Sequence, residues 1–202
     1  MLNEVKHLPP SAKKSWRQIN KGLGKAPTRR YTFALVLRCL RSDIVLVSCT
    51  MMLTRILQPA CIKVPLTGTD KDSVITELVD VLAENGLLQN KQAALDAVFA
   101  RERTRSTGIG SGIAIPHGKT GAVKELVMAM GIAQQGVDFD SVDKKPVFIV
   151  ILLVSPLDQT GPHIQALARI SRLMLDAEFK DALEKATSAQ AAFQLLSDRE
   201  NE

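Results

Sequence analysis

Two histidines, His117 and His163, carry the most suggestive chemistry in this 202-residue sequence. His117 stands in Ile115-Pro116-His117-Gly118, separated by two residues from a glycine-rich run at 106–112. Proline at that point removes a backbone donor and restricts the chain. The spacing therefore predicts an imidazole presented where a strand gives way to a loop, rather than one packed away. Neutral imidazole is a nucleophile near physiological pH and can also exchange a proton. A lone histidine is more often a surface residue or a satisfied core residue, yet one held between Pro and Gly on a rigid strand end fits the positions that carry function. His163 follows Gly161-Pro162 at the expected start of a helix, where unpaired N–H groups and the positive dipole end favour anions. Arg101, Arg103 and Arg105 supply candidate cations just before the glycines. Two imidazoles, a helix terminus and a guanidinium suit a phosphoryl group in transfer, whose charge spreads over its oxygens and wants positioned donors. For Arg103 and Arg105 the plainer alternative is a solvated helix end.

Competing motifs fail on context. Gly108, Gly110 and Gly112 invite a dinucleotide or P-loop reading, but they follow no apolar strand, open no evident helix and lack Gly-Lys-Ser/Thr. Ser111 lies in Gly-Ser-Gly without the G-x-S-x-G spacing or the strand-turn-helix setting of a nucleophile elbow. No Asp or Glu stands at ligand spacing to complete a metal site with the two histidines. Cys39, Cys49 and Cys61 are odd in number and show no C-x-x-C, which argues against a disulfide scaffold or zinc finger and for a reducing compartment.

The elements that must position these residues read clearly after Met52. Thr69 to Asp72 offer N-cap chemistry; Val74, Leu78, Val81 and Leu82 recur at helical spacing, and Gly86 marks the stop. Asn90 can cap a second helix with Ala94, Leu95, Val98 and Phe99 as its apolar stripe, closing at Arg101 and Glu102. The glycines lead into a short alternating run, Ile113, Ala114, Ile115. Residues 126–132 read as a strand, and 147–154 as a continuous β-branched and Leu run of the kind buried on both faces. A helix is expected over 163–175, and two more near 177–185 and 189–196. Helices before, between and after strands predict an α/β fold: a central mixed sheet with helices on both faces, spanning residues 51–202.

Composition bounds the rest. With 46% hydrophobic and 23% charged residues the chain has material for a real core. One Trp and one Tyr argue against an aromatic platform for single-stranded nucleic acid. The net charge of +5 is lopsided: residues 1–50 hold ten Lys and Arg against two acidic groups, while the remainder holds 16 basic against 19 acidic. The basic balance therefore belongs to the first fifty residues and is no argument for a nucleic-acid partner of the main domain. Pro9, Pro10, Gly22, Gly24 and Pro27 among scattered charges predict a disordered or weakly helical extension. A competing expectation is upstream sequence joined by a misplaced start, with Met51 or Met52 the beginning. Apolar runs at 33–37 and 44–47 are broken by Arg38, Arg41 and Asp43, so neither a membrane span nor a secretory signal is expected.

The run RERTRSTGIGSGIAIPHGKT at 101–120 resembles the phosphorylation-site signature of type-2 IIA domains of the bacterial phosphoenolpyruvate-dependent sugar phosphotransferase system, the fructose/mannitol type that includes a nitrogen-regulatory branch. The segment from His163 through Arg169 and Arg172 is similar to that family's His-led helix, and Met52 to Leu57 to its usual N-terminus. The resemblance covers residues 52–202. It implies that His117 accepts a phosphoryl group from phosphorylated HPr and passes it to a IIB component, that His163 hydrogen-bonds and orients the phosphohistidine, and that Arg101 helps neutralise phosphate charge. It further implies a cytoplasmic phosphotransferase component in sugar transport, working with no cofactor or metal and without membrane insertion. The alternative within the family is a nitrogen-regulatory module whose phosphorylation state controls partners such as kinases or transporters. A small-molecule hydrolase or nucleotide binder is the remaining and weakest alternative.

Overall fold

A computed structural model describes residues 51–202; the expectations for residues 1–50 lie outside the described residues. A 3-10 turn at Leu53–Arg55 leads into strand β1 (Leu57–Lys63), helices α1 (Lys71–Glu84) and α2 (Lys91–Thr104), and three short strands, β2 (Gly108–Gly110), β3 (Ile113–Ala114) and β4 (His117–Lys119). The long strands β5 (Val127–Val137) and β6 (Val147–Ser155) follow, then helices α3 (Thr160–Leu173), α4 (Ala177–Glu184) and α5 (Ala189–Asn201). Among the described residues no helix is long and apolar enough to cross a membrane.

Cap chemistry sets the helix starts. Asp70 and Ser73 form a capping box at α1, with Ser73 N–H donating to the Asp70 carboxylate at 2.9 Å. At α2 the Asn90 side chain accepts from Ala93 N–H at 3.0 Å. Each such cap contributes about 1 kcal/mol. Gly86, with φ +70, follows α1 in the left-handed conformation that glycine adopts without a Cβ penalty.

The strands form one mixed sheet in the order β1-β5-β6-β3-β2, with β4 also on β6. β5 and β6 are antiparallel, from Val127 opposite Val154 to Ile132 opposite Ile149, whereas β1 runs parallel to β5. Every side chain from Ile149 to Val154 is fully buried, so both faces of β6 are covered. The helices supply that cover: α1 packs on β1, β5 and β6, α5 on β1, α3 on β6 and α2 on β4. The mixed α/β sheet is thus the architecture that the patterning predicts.

The differences are local. β1 escapes the sequence pattern because its burial does not alternate, it contains Pro59, and its pairing with β5 is irregular between Leu57 and Ile62. β5 runs past Ile132 to Val137 through an irregularity in its ladder with β6. α3 begins at Thr160, three residues before His163, and α5 continues to Asn201. The glycine run forms an antiparallel β2-β3 hairpin in which Gly110, Ser111 and Gly112 all have positive φ. Its glycines therefore answer a backbone demand.

The C-terminal helix closes the fold on its beginning. The Glu200 carboxylate, fully buried, accepts from Leu53 N–H at 2.8 Å, Thr54 N–H at 2.9 Å and the Thr54 hydroxyl at 2.9 Å, and it faces Arg169 Nε of α3 at 3.4 Å.

Candidate functional site

β3 and β4 are one strand with a gap. Ile113 and Ala114 pair with Ile149 and Val150 of β6, and His117, Gly118 and Lys119 pair with Leu153, Val154 and Ser155 in the same register. The ladder is interrupted at Ile115 and Pro116, where proline has no N–H to give. The Pro116 carbonyl still accepts from Leu153 N–H at 3.0 Å, which keeps β4 on the sheet. The Ile115 carbonyl takes the His117 ring instead, with His117 Nδ1 2.8 Å from it.

That contact fixes the imidazole. A carbonyl can only accept, so Nδ1 carries the proton and Nε2 keeps its lone pair. Arg101 Nε–H donates to Nε2 at 3.2 Å, and Arg101 Nη1 donates to the Arg105 carbonyl at 2.8 Å, which holds the guanidinium in place. Burial holds the His117 pKa below its ordinary value; Ile115 opposes that shift, nearby Arg101 adds to it, and Glu102 opposes it. The product is a half-buried, neutral imidazole whose one unprotonated nitrogen accepts from a cation. The sequence pattern predicts a ring presented to solvent; the packing of α2 against β4 accounts for the half-burial.

Gly118 makes that packing feasible. A Cβ there would lie 2.9 Å from Val98 N and 3.0 Å from the Ala97 carbonyl carbon, both in the α2 backbone. Only glycine lets the helix come so close, and the last turn of α2 then brings Arg101 over the ring.

His163 sits in the first turn of α3 and is buried, 4% exposed. Its ring centroid lies 5.5 Å from that of His117, with the planes tilted by 56°. Its Nδ1 is 2.8 Å from the Ser155 hydroxyl at the end of β6. Burial first, then the neighbouring His117 and Lys119, push its pKa down to about 4. The structure thus brings Arg101, His117 and His163 together. Arg103 and Arg105 are exposed, as expected of a solvated helix end, although Arg105 lines the His117 cleft. That cleft, of about 390 Å³, is walled also by Thr107, Ile109, Ile115 and Leu167.

Three contributors escape the sequence reading. Ser155 looks like a strand terminator but holds His163. Lys119 lies two residues from His117, and its Nζ donates to the Thr160 hydroxyl at the start of α3 at 2.8 Å; the period of two along a strand is the signal that could have found it. Glu102 reads as a helix-end charge but is buried, 5% exposed, accepting from Thr107 N–H at 3.1 Å and the Thr107 hydroxyl at 2.5 Å. Lys71 Nζ stands 3.3 Å from it. Glu102 therefore ties the segment after α2 to the start of α1, just behind Arg101.

Residues 55–199 match the sequence model of the family described as "Phosphoenolpyruvate-dependent sugar phosphotransferase system, EIIA 2". A fructose-specific EIIABC component from Bacillus subtilis is 36% identical over 147 residues, 73% of this chain but only 23% of that much longer protein. A nitrogen regulatory protein from Bradyrhizobium diazoefficiens is 33% identical over 148 residues, 73% of this chain and 95% of its own length. The crystal structure of nitrogen regulatory protein IIA-Ntr from Neisseria meningitidis superposes with a TM-score of 0.66 at 28% identity, covering 72% of this chain and 99% of that one.

Proposed function

The chain belongs to the type-2 EIIA family of the phosphoenolpyruvate-dependent sugar phosphotransferase system, and we propose that it serves there as a phosphocarrier whose acceptor atom is His117 Nε2. The observation that carries this reading is the unprotonated state of that nitrogen, set by a fixed tautomer, with Arg101 Nε–H donating to it at 3.2 Å. As the Arg101 N–H turns from Nε2 toward the incoming phosphoryl oxygens, the lone pair attacks the phosphorus of a phosphohistidine on an HPr-type carrier. The new N–P bond forms as the donor's N–P bond breaks, and the donor imidazole keeps the electron pair. Arg101 and His163 are the site residues beside it. Arg101 offsets the charge on the phosphoryl oxygens, and His163 offers a hydrogen bond from the neighbouring ring. Onward transfer repeats the displacement with a cysteine or histidine of a IIB component as nucleophile.

The surroundings suit a relay rather than a hydrolase. A carrier must keep water from attacking the phosphoryl group, which calls for no strong general base beside it. His163, with a pKa near 4, is a weak base at neutral pH. The reaction as written needs no metal and no nucleotide, residues 51–202 are its functional unit, and its place is the cytoplasm. The test is incubation of the full chain with phosphoenolpyruvate, the first enzyme of the system and HPr. His117 is expected to take up acid-labile phosphate and His117→Ala none; an unlabelled wild-type chain would reject the reading.

A second reading is favoured by the near full-length match to proteins named as nitrogen regulatory. In it the phosphorylation state of His117 governs binding to a partner such as a kinase or transporter. A partner whose capture changes with phosphorylation of His117, independently of any sugar, supports regulation; phosphate passed to a fructose-type IIB component supports transport.

A further inference from the structure

We propose that Ser155 is a positioning residue that sets the tautomer of His163, donating its hydroxyl proton to Nδ1 so that Nε2–H is the group His163 offers to a phosphoryl oxygen on His117. This rests on the phosphocarrier reading of His117 and deepens it. The starting point is a directional ambiguity. A hydroxyl can donate or accept, and each ring nitrogen of a neutral imidazole can do either, so the 2.8 Å contact between Ser155 Oγ and His163 Nδ1 fits two arrangements.

Burial decides between them. Ser155 is fully buried, and among the described residues His163 Nδ1 is the one hydrogen-bond partner of its Oγ. If Nδ1 carried the proton and donated to Oγ, the serine's own O–H would be left in the interior without an acceptor, a state that buried groups avoid at appreciable cost. Donation from Ser155 satisfies both groups. His163 is neutral at physiological pH, since burial first, and then the neighbouring His117 and Lys119, depress its basicity. One ring nitrogen then carries one proton, and with Nδ1 accepting, that proton is on Nε2.

The two imidazoles are thus fixed in opposite senses by opposite devices. An obligate acceptor, the Ile115 carbonyl, puts the His117 proton on Nδ1 and leaves Nε2 unprotonated. A donor, the Ser155 hydroxyl, puts the His163 proton on Nε2 and leaves that nitrogen able to give a hydrogen bond. The rings lie 5.5 Å apart, centroid to centroid, and no direct hydrogen bond joins them. That spacing leaves room for an oxygen atom between a group on one ring and the N–H of the other. The sheet register supports the arrangement, since Ser155 pairs with Lys119, two residues along β4 from His117. The serine that holds His163 and the strand that carries His117 are therefore neighbours in one ladder.

The experiment has two readouts. The first is nuclear magnetic resonance of the full chain with isotopically labelled histidine nitrogens, unphosphorylated and at neutral pH, with His163→Gln to assign the signal. His163 is expected as the Nε2–H form in the wild type and in Ser155→Thr, and as a mixture of tautomers in Ser155→Ala. The second is radiolabelled phosphoryl transfer from HPr. Ser155→Ala is expected to slow acceptance or shorten phosphohistidine lifetime by about tenfold, the scale of one hydrogen bond, and to change neither further in a His163→Ala background. A wild-type His163 protonated at Nδ1, or a Ser155→Ala effect of equal size without His163, overturns this inference while His117 still takes label. A wild type that takes no label overturns the phosphocarrier reading itself, and the contact to a phosphoryl oxygen falls with it.

Discussion

A guanidinium that donates to an imidazole nitrogen adds to the burial that keeps that ring neutral, and it stands ready for any anion formed on it. Arg101 occupies this position, whereas the Arg105 side chain is exposed and contributes its backbone carbonyl as a brace. Arg101→Gln is therefore expected to slow phosphoryl acceptance about ten- to a hundredfold, as for a charge-assisted contact, and Arg105→Gln by no more than a few-fold. Equal small effects in the transfer assay would contradict that ranking. His163 gives a pH prediction whose sign follows from its depressed pKa. Between its ordinary 6.5 and about 4 the unfolded chain binds a proton there and the folded chain does not. Stability from this group is complete above pH 6.5 and is lost as the pH falls toward 4, on the order of 2 kcal/mol once solvent screening is allowed for. Urea unfolding across that window should show a shallower decline in His163→Gln than in wild type. His117 and His163 stand out in the sequence because Pro and Gly mark them locally, whereas Arg101 is one of three candidate cations with Arg103 and Arg105 and is singled out by the family resemblance. Ser155 and Glu102 do not stand out, since their roles come from partners eight and five residues away that only folding brings within reach.

The arrangement of elements around β4 depends on one close approach. Gly118→Ala would drive a methyl group into the α2 backbone at Ala97 and Val98. Relief requires β4 and α2 to separate, at a cost of about 1–3 kcal/mol, and separation carries Arg101 away from His117. The expected result is a lowered melting temperature together with slower phosphoryl acceptance. Gly121→Ala, whose Cβ would meet nothing within 4 Å, is the control and should change neither. The helices were readable from caps and a 3.6-residue period because both signals are local. β6 was readable from its unbroken apolar run. β1 was not, and β4 was hidden because three residues broken from β3 by Ile115-Pro116 carry no period of their own; their strand character is lent by the ladder with β6.

Across the whole molecule, the sheet orders its parts by distance from the site. β1, the edge strand, is separated from β4 by β5 and β6. The Glu200 carboxylate works on the β1 side, where it satisfies the 53–54 turn and faces Arg169. Glu200→Ala should destabilise the fold by about 2–4 kcal/mol, since it strips partners from buried donors and from an arginine. Phosphoryl acceptance per folded molecule at low temperature should stay near wild type, and calorimetry beside the labelling assay checks both. The sequence could not announce this link, because residues 53 and 200 have no local relation. The same link means that the polypeptide enters and leaves the fold at neighbouring points. A unit whose two ends meet can be spliced between other segments of a longer chain, or cut and rejoined in a new order, without stretching across its own surface. That geometry suits a module found in the Bacillus relative as less than a quarter of a larger polypeptide.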